Sequence, residues 1–123
     1  MPPKISLKIM VGADTRLGPG KAELLRDIQE TGSIAAAGRR MNMSYKRAWQ
    51  LISTLNACFA EPVVTTTRGG TAHGGAVLTA TGQAVLDGYQ RMLAATEQAV
   101  SEEVARLEAL TKAKAVAPAD PSD

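Results

Sequence analysis

Residues 31–56, TGSIAAAGRRMNMSYKRAWQLISTLN, twice set a serine just ahead of a run with helical apolar spacing, and leave almost no chain between the two runs. Ser33 stands where it caps a first helix bearing Ile34, Ala37 and Met41, and Ser44 where it caps a second bearing Ala48, Ile52 and Leu55. A hydroxyl at such a position accepts a hydrogen bond from a backbone N–H that the first helical turn leaves unpaired. Only Asn42 and Met43 remain between the helices, so the connection is a tight turn.

The same stretch carries four cations, Arg39, Arg40, Lys46 and Arg47, and no carboxylate. Helix-turn-helix units lay the N-terminal part of their second helix in the major groove of DNA, and that part here holds Ser44, Tyr45, Lys46, Arg47 and Gln50. Arg and Lys pair with guanine edges and Gln with adenine, so Lys46, Arg47 and Gln50 are the expected readers of sequence, each also suited to a phosphate contact or a solvated surface. Arg39 and Arg40 are expected to hold the DNA backbone. Tyr45 and Trp49, spaced i, i+4, are placed to stack on each other. Trp49 is expected to be mainly core, with Tyr45 left to reach a phosphate.

Charge supports the same partner through its distribution. From Thr31 to Leu86 five bases face one acid, Glu61, a net +4, whereas nine bases and eleven acids share the remainder of a chain whose total is +2. A positive field concentrated on one segment implies a polyanion, here double-stranded DNA. With 123 residues and 45% hydrophobic content the chain builds one core and no second domain. A single cysteine, Cys58, excludes an internal disulfide and is expected to pack as a small hydrophobe near a helix end. With His73 the only histidine, no metal site or cofactor is expected. No apolar run reaches membrane-spanning length and the N-terminus does not resemble a secretion signal, so the expected location is the cytoplasm.

Outside the central unit, Lys4 to Val11 alternates apolar and polar residues as an edge strand does, and Gly12 to Gly20 reads as loop. Lys21 to Glu30 forms a helix preceded by Pro19, buried through Leu24, Leu25 and Ile28, and ended by Gly32. Val63 to Arg68 and Ala76 to Thr79 flank a segment with four glycines in seven residues, which spells a hairpin. In a DNA-binding fold that hairpin is a wing: Arg68 supplies charge, Thr71 or His73 a hydrogen bond, and Gly69, Gly70 and Gly74 a close backbone approach to the sugar-phosphate strand. Nucleotide-binding glycine loops instead follow a strand, open a helix and end in Gly-Lys-Ser/Thr, which this one does not.

Thr81 to about Lys112 reads as one long helix in which Leu86, Leu93, Val100 and Leu107 recur every seven residues, with Tyr89 at an offset position. The helix outruns any core so small a domain offers, so these residues are expected to form a dimer seam, the alternative being packing on their own domain. The fold class is thus mainly α with a small β-hairpin, α+β: a winged helix-turn-helix with a long C-terminal dimerisation helix, over residues 1–112, followed by a disordered tail at 113–123. No nucleophile with a base, carboxylate pair or metal cluster points to an enzyme. A winged-helix module that binds a protein, or a DNA-binding subunit that depends on a separate sensor protein, remains the alternative function.

Ser44-Tyr45-Lys46 with Ala48-Trp49, the glycine-rich loop, and Gly75-Ala76-Val77-Leu78-Thr79 leading to Gly82 resemble the N-terminal domain of the ModE family of molybdate-responsive transcription regulators. The resemblance spans roughly residues 4–112. The helix-turn-helix part also resembles LysR-type regulators, more distantly, because the Tyr-Lys and Ala-Trp pairs favour ModE. The resemblance implies a dimeric winged helix that binds promoters, with Ser44 to Arg47 opening the recognition helix and Arg68 to Gly75 forming the wing. That loop has His73 and no lysine, which implies a weaker grip on the backbone. ModE proteins place molybdate-binding domains after this one. This chain has no room for them, so no small-molecule effector is expected within it, and molybdenum-related metabolism is the pathway the resemblance implies.

Overall fold

The structure, a computed structural model, describes residues 5–67 and 75–112. Strand β1 (Ile9–Val11) pairs antiparallel with β2 (Thr15–Leu17) in the register Ile9 to Leu17 and Val11 to Thr15. This corrects the expectation of one edge strand from Lys4 followed by loop. The three-residue turn contains Gly12 at φ +66°, where a Cβ is disfavoured, and Thr15 and Leu17 point inward while Arg16 faces solvent.

Helix α1 (Pro19–Thr31) begins on Pro19, whose missing N–H costs nothing at that position, and ends on Gly32 at φ 73°, whose N–H bonds the Ile28 carbonyl at 2.8 Å. Its inner face, Leu24, Leu25 and Ile28, is fully buried as expected. Helix α2 (Ile34–Arg40) is capped by Ser33, which accepts from the Ala36 N–H at 3.0 Å, while Thr31 Oγ1 accepts from the Ser33 N–H. Asn42, at φ 57°, makes the turn, in the left-handed region that asparagine tolerates better than most residues. Gly38 lets the next helix approach: a Cβ there would meet the Met43 carbonyl oxygen at 3.3 Å and the Ala48 Cβ at 3.4 Å.

Helix α3 (Tyr45–Cys58) buries Ala48, Ile52 and Leu55 completely. Cys58 at its end is half-buried and directs its thiol at the Val11 carbonyl, 3.6 Å away. Asn56 Oδ1 accepts from the Val63 and Val64 N–H groups at 2.7 and 3.2 Å, and its Nδ2 donates to the Val64 carbonyl at 3.1 Å. One side chain thereby fixes where the next strand leaves the helix.

Strand β3 (Val64–Thr67) pairs antiparallel with β4 (Gly75–Leu78), Val64 opposite Leu78 and Thr67 opposite Gly75. The Ala76 N–H bonds the Gly32 carbonyl at 2.9 Å, tying the base of this hairpin to the α1–α2 junction. Helix α4 (Ala80–Ala109) is capped by Thr79, which accepts from the Gly82 N–H at 2.9 Å and donates to the Pro62 carbonyl at 2.6 Å. Its first turns rest on the core through Gly82, Leu86 and Tyr89, and Gln29 of α1 hydrogen bonds Gln83. The Tyr89 hydroxyl donates to the Leu7 carbonyl at 2.7 Å, and burial pushes this phenol above its ordinary pKa. Thirty residues at 1.5 Å each extend about 45 Å, and the last side chain of α4 packed against the core is Leu93.

Candidate nucleic-acid interface

Helix α3 turns its unburied side outward with no acidic residue along it. Ser44 caps it through the Arg47 N–H at 3.0 Å, as expected, and so fixes the first turn that carries Tyr45, Lys46 and Arg47. All three side chains, with Gln50, Ser53 and Thr54, are exposed, and a shallow open depression is lined by Lys46, Arg47, Trp49, Gln50, Leu51, Ser53 and Thr54. Three kinds of group share one face: cations, amide and hydroxyl donors, and an aromatic ring. The helix N-terminus adds its partial positive charge where Tyr45 and Lys46 begin. Among the described residues no group of three His, Cys, Asp or Glu side chains is placed to hold a metal, and no helix is long and apolar enough to cross a membrane.

Two expectations are corrected on this surface. Trp49 is not core: it is 39% exposed, because Ala48, Ile52 and Leu55 already fill the inner face of α3. Arg40 is not a free cation. Its Nη1 lies 2.9 Å from Glu30 Oε1 and 3.4 Å from Asp27 Oδ1, both on α1. Counting charge along the chain missed these partners because they come from the preceding helix. Arg39, at the end of α2, is exposed. The hairpin expected as the wing is present, while Arg68, Gly69, Gly70, Thr71, His73 and Gly74 lie outside the described residues, as does the tail at 113–123.

The description of the LysR family of bacterial regulatory helix-turn-helix proteins matches residues 20–83, the span from α1 through the hairpin into α4. The chain belongs to this family. Among similar proteins, the Rhodobacter capsulatus molybdenum-pterin-binding protein MopB is 46% identical over 74 residues, 60% of this chain and 27% of MopB. The molybdenum transport protein ModE of Azotobacter vinelandii is 33% identical over 108 residues, 88% of this chain and 39% of that protein. The DNA-binding transcriptional dual regulator ModE of Escherichia coli K12 is 36% identical over 80 residues, 65% of this chain and 30% of that protein. The ModE resemblance read from the sequence therefore holds, and this chain spans well under half the length of these relatives. In three dimensions the DNA-binding domain of CbnR, solved in complex with DNA, superposes with a TM-score of 0.56 at 23% identity, covering 72% of this chain and 95% of that one. The shared fold is the winged helix.

In this LysR-type domain two residues expected on a dimer seam have another role. Leu86 and Tyr89 are 2% and 3% exposed within their own chain, and Leu93 also packs against that core. A seven-residue repeat records burial without recording whose surface does the burying. Beyond them Val100 is half-buried and Leu107 and Leu110 are exposed, so the stretch of α4 whose leucines face solvent is its C-terminal half.

The Ser44 cap makes a test that separates folding from binding. Ser44→Ala is expected to lower stability by about 1 kcal/mol in urea unfolding. Ser44→Asp is expected to restore the cap and the stability, but it sets a carboxylate beside the turn expected to meet DNA and is expected to weaken DNA binding at least as much as alanine does. Equal DNA affinity for Ser44→Asp and the parent protein would remove this turn from the interface.

Proposed function

We propose that this LysR-type regulator binds double-stranded promoter DNA sequence-specifically as a homodimer, setting the first turns of α3 into the major groove and the β3–β4 hairpin against the backbone. The carrying observation is the outward side of α3, where Lys46, Arg47, Gln50 and Ser53 are exposed around a helix start whose cap is intact and whose surface holds no acid. Bidentate donors on a helix held this way match base edges, and cations beside them match phosphates. Arg39 belongs to the phosphate contacts, whereas Arg40 contributes less because Glu30 and Asp27 already engage it.

The second copy docks along the C-terminal half of α4, through Val100 and Leu107, with Leu110 extending the same end. A two-fold dimer presents two recognition helices to a quasi-palindromic site whose half-site centres lie about 34 to 36 Å apart, or a multiple of that. The names of MopB and of the Azotobacter ModE support promoters of molybdenum-related metabolism as the targets.

Selection from a randomised duplex pool at near-physiological salt tests the proposal directly. Enrichment of an inverted repeat with that spacing is the expected result. Folded protein that enriches nothing sinks the DNA reading, and an enriched site without internal symmetry sinks the dimer.

A further inference from the structure

Aromatic residues are scarce in this chain: one phenylalanine, two tyrosines and one tryptophan. Folding uses two of the four. Tyr89 is buried and hydrogen bonded to Leu7, and Phe59 packs against the core. The other two, Tyr45 and Trp49, stand four residues apart at the start of α3, 54% and 39% exposed. A tryptophan brings more apolar area to a core than any other side chain, yet this core closes on Ala48, Ile52 and Leu55 and leaves the indole at the rim of the depression beside Lys46, Gln50 and Ser53.

Helical periodicity says which rim. Trp49 shares its flank of α3 with Asn56, seven residues on, and Asn56 is hydrogen bonded to the backbone at the root of β3. Trp49 therefore stands on the hairpin flank of the outward face, within about one helical turn of Lys46 and Gln50 along the axis.

We propose that Trp49 is a specificity-determining residue that packs against the 5-methyl group of a thymine in each half-site. The proposal rests on α3 being the major-groove helix. On base edges in that groove the thymine methyl is the one apolar group larger than a single C–H, the nitrogen and oxygen positions being hydrogen-bond donors or acceptors. An indole offers one N–H and no acceptor, so against polar edges it leaves groups unpaired, whereas against a methyl group both surfaces leave water together. Lys46 and Gln50 supply the hydrogen bonds on the neighbouring base pairs, and Trp49 supplies the apolar contact that neither can make.

The test uses the full chain and its selected duplex, with each thymine in turn replaced by deoxyuridine, which lacks only the methyl group. Binding is followed by anisotropy of a labelled duplex. One thymine per half-site is expected to cost the parent protein about four-fold in affinity on replacement, the worth of one buried methyl group. Trp49→Ala binds the parent duplex more weakly and is indifferent to the same replacement, and Trp49→Phe keeps part of the sensitivity. Because Trp49 is the chain's single tryptophan, its emission and its protection from acrylamide report its own burial on binding. If Trp49→Ala fails to fold, the thymine scan with the parent protein and Trp49→Phe still decides. A duplex that binds while no thymine position matters, or while the emission and quenching stay unchanged, overturns the proposal and leaves the DNA-binding reading standing. Absence of any duplex binding overturns that reading and the proposal with it.

Discussion

Gly82→Ala is expected to destabilise the domain by about 3 kcal/mol or more, a large share of the roughly 5 to 15 kcal/mol that holds a typical domain together. A Cβ at residue 82 would lie 2.0 Å from the Val63 carbonyl oxygen and 2.9 Å from its carbon, and both are backbone atoms that no rotamer change can move aside. Relief requires the first turn of α4 to lift away from the start of the hairpin. That movement breaks the Thr79 N–H bond to Val63, 3.0 Å, and the Thr79 hydroxyl bond to Pro62, 2.6 Å, and with them the cap of a thirty-residue helix. Urea unfolding reads the loss as a lower midpoint, and thermal unfolding as a melting temperature lower by about 10 °C or more. Gly20→Ala is the control. It lies in the first turn of α1 with nothing within 4 Å of the added methyl group, and is expected to stabilise slightly by reducing the freedom of the unfolded chain. A Gly82→Ala midpoint equal to the parent's would mean that α4 does not rest on Val63.

The close approach at Gly82 is the kind of fact that residue types do not carry, whereas the elements around it were legible. The two serine caps, the glycine that ends α1, the strands flanking the glycine-rich loop and the long terminal helix all rest on local chemistry: a hydroxyl three residues ahead of a free N–H, a left-handed stop, β-branched runs, an unbroken span of helix formers. The β1–β2 hairpin escaped notice because each strand has only three residues, shorter than a period-two pattern needs. Its available signal was Thr15 and Leu17 alternating with Arg16 after Gly12. The site was legible in outline, since the exposed cations and Gln50 of α3 follow once Ala48, Ile52 and Leu55 are assigned to the core. Where tertiary structure decides, the sequence was silent. Arg40 finds its acids on α1, Trp49 is displaced from a core that three smaller residues already fill, and Leu86 and Tyr89 are buried by their own chain rather than by a second one.

Lys46→Ala and Arg47→Ala are each expected to lower affinity for the selected site by about 1 to 3 kcal/mol, roughly 5- to 150-fold, but in different ways. The buried stripe of Ala48, Ile52 and Leu55 sets the inward direction of α3, and at about 100° per residue Lys46 and Gln50 fall almost opposite to it, the direction that faces the groove floor. Arg47 falls to one side, on the flank shared with Leu51 and Thr54, where its long charged side chain reaches past the outer base edges to the phosphates of the groove wall. Lys46→Ala should therefore hurt the selected site more than a scrambled one and relax the preference at one base pair per half-site. Arg47→Ala should weaken both duplexes about equally and reduce the slope of log affinity against log salt by about one per half-site, because each subunit releases one fewer counterion. Arg40→Ala should change that slope least, since Glu30 and Asp27 already draw its guanidinium toward α1. Binding isotherms on matched and scrambled duplexes at several salt concentrations separate the three responses. If Arg47→Ala relaxes base preference while Lys46→Ala does not, α3 enters the groove rotated toward its Leu51 flank, and Trp49 on the opposite flank would then be turned away from the bases.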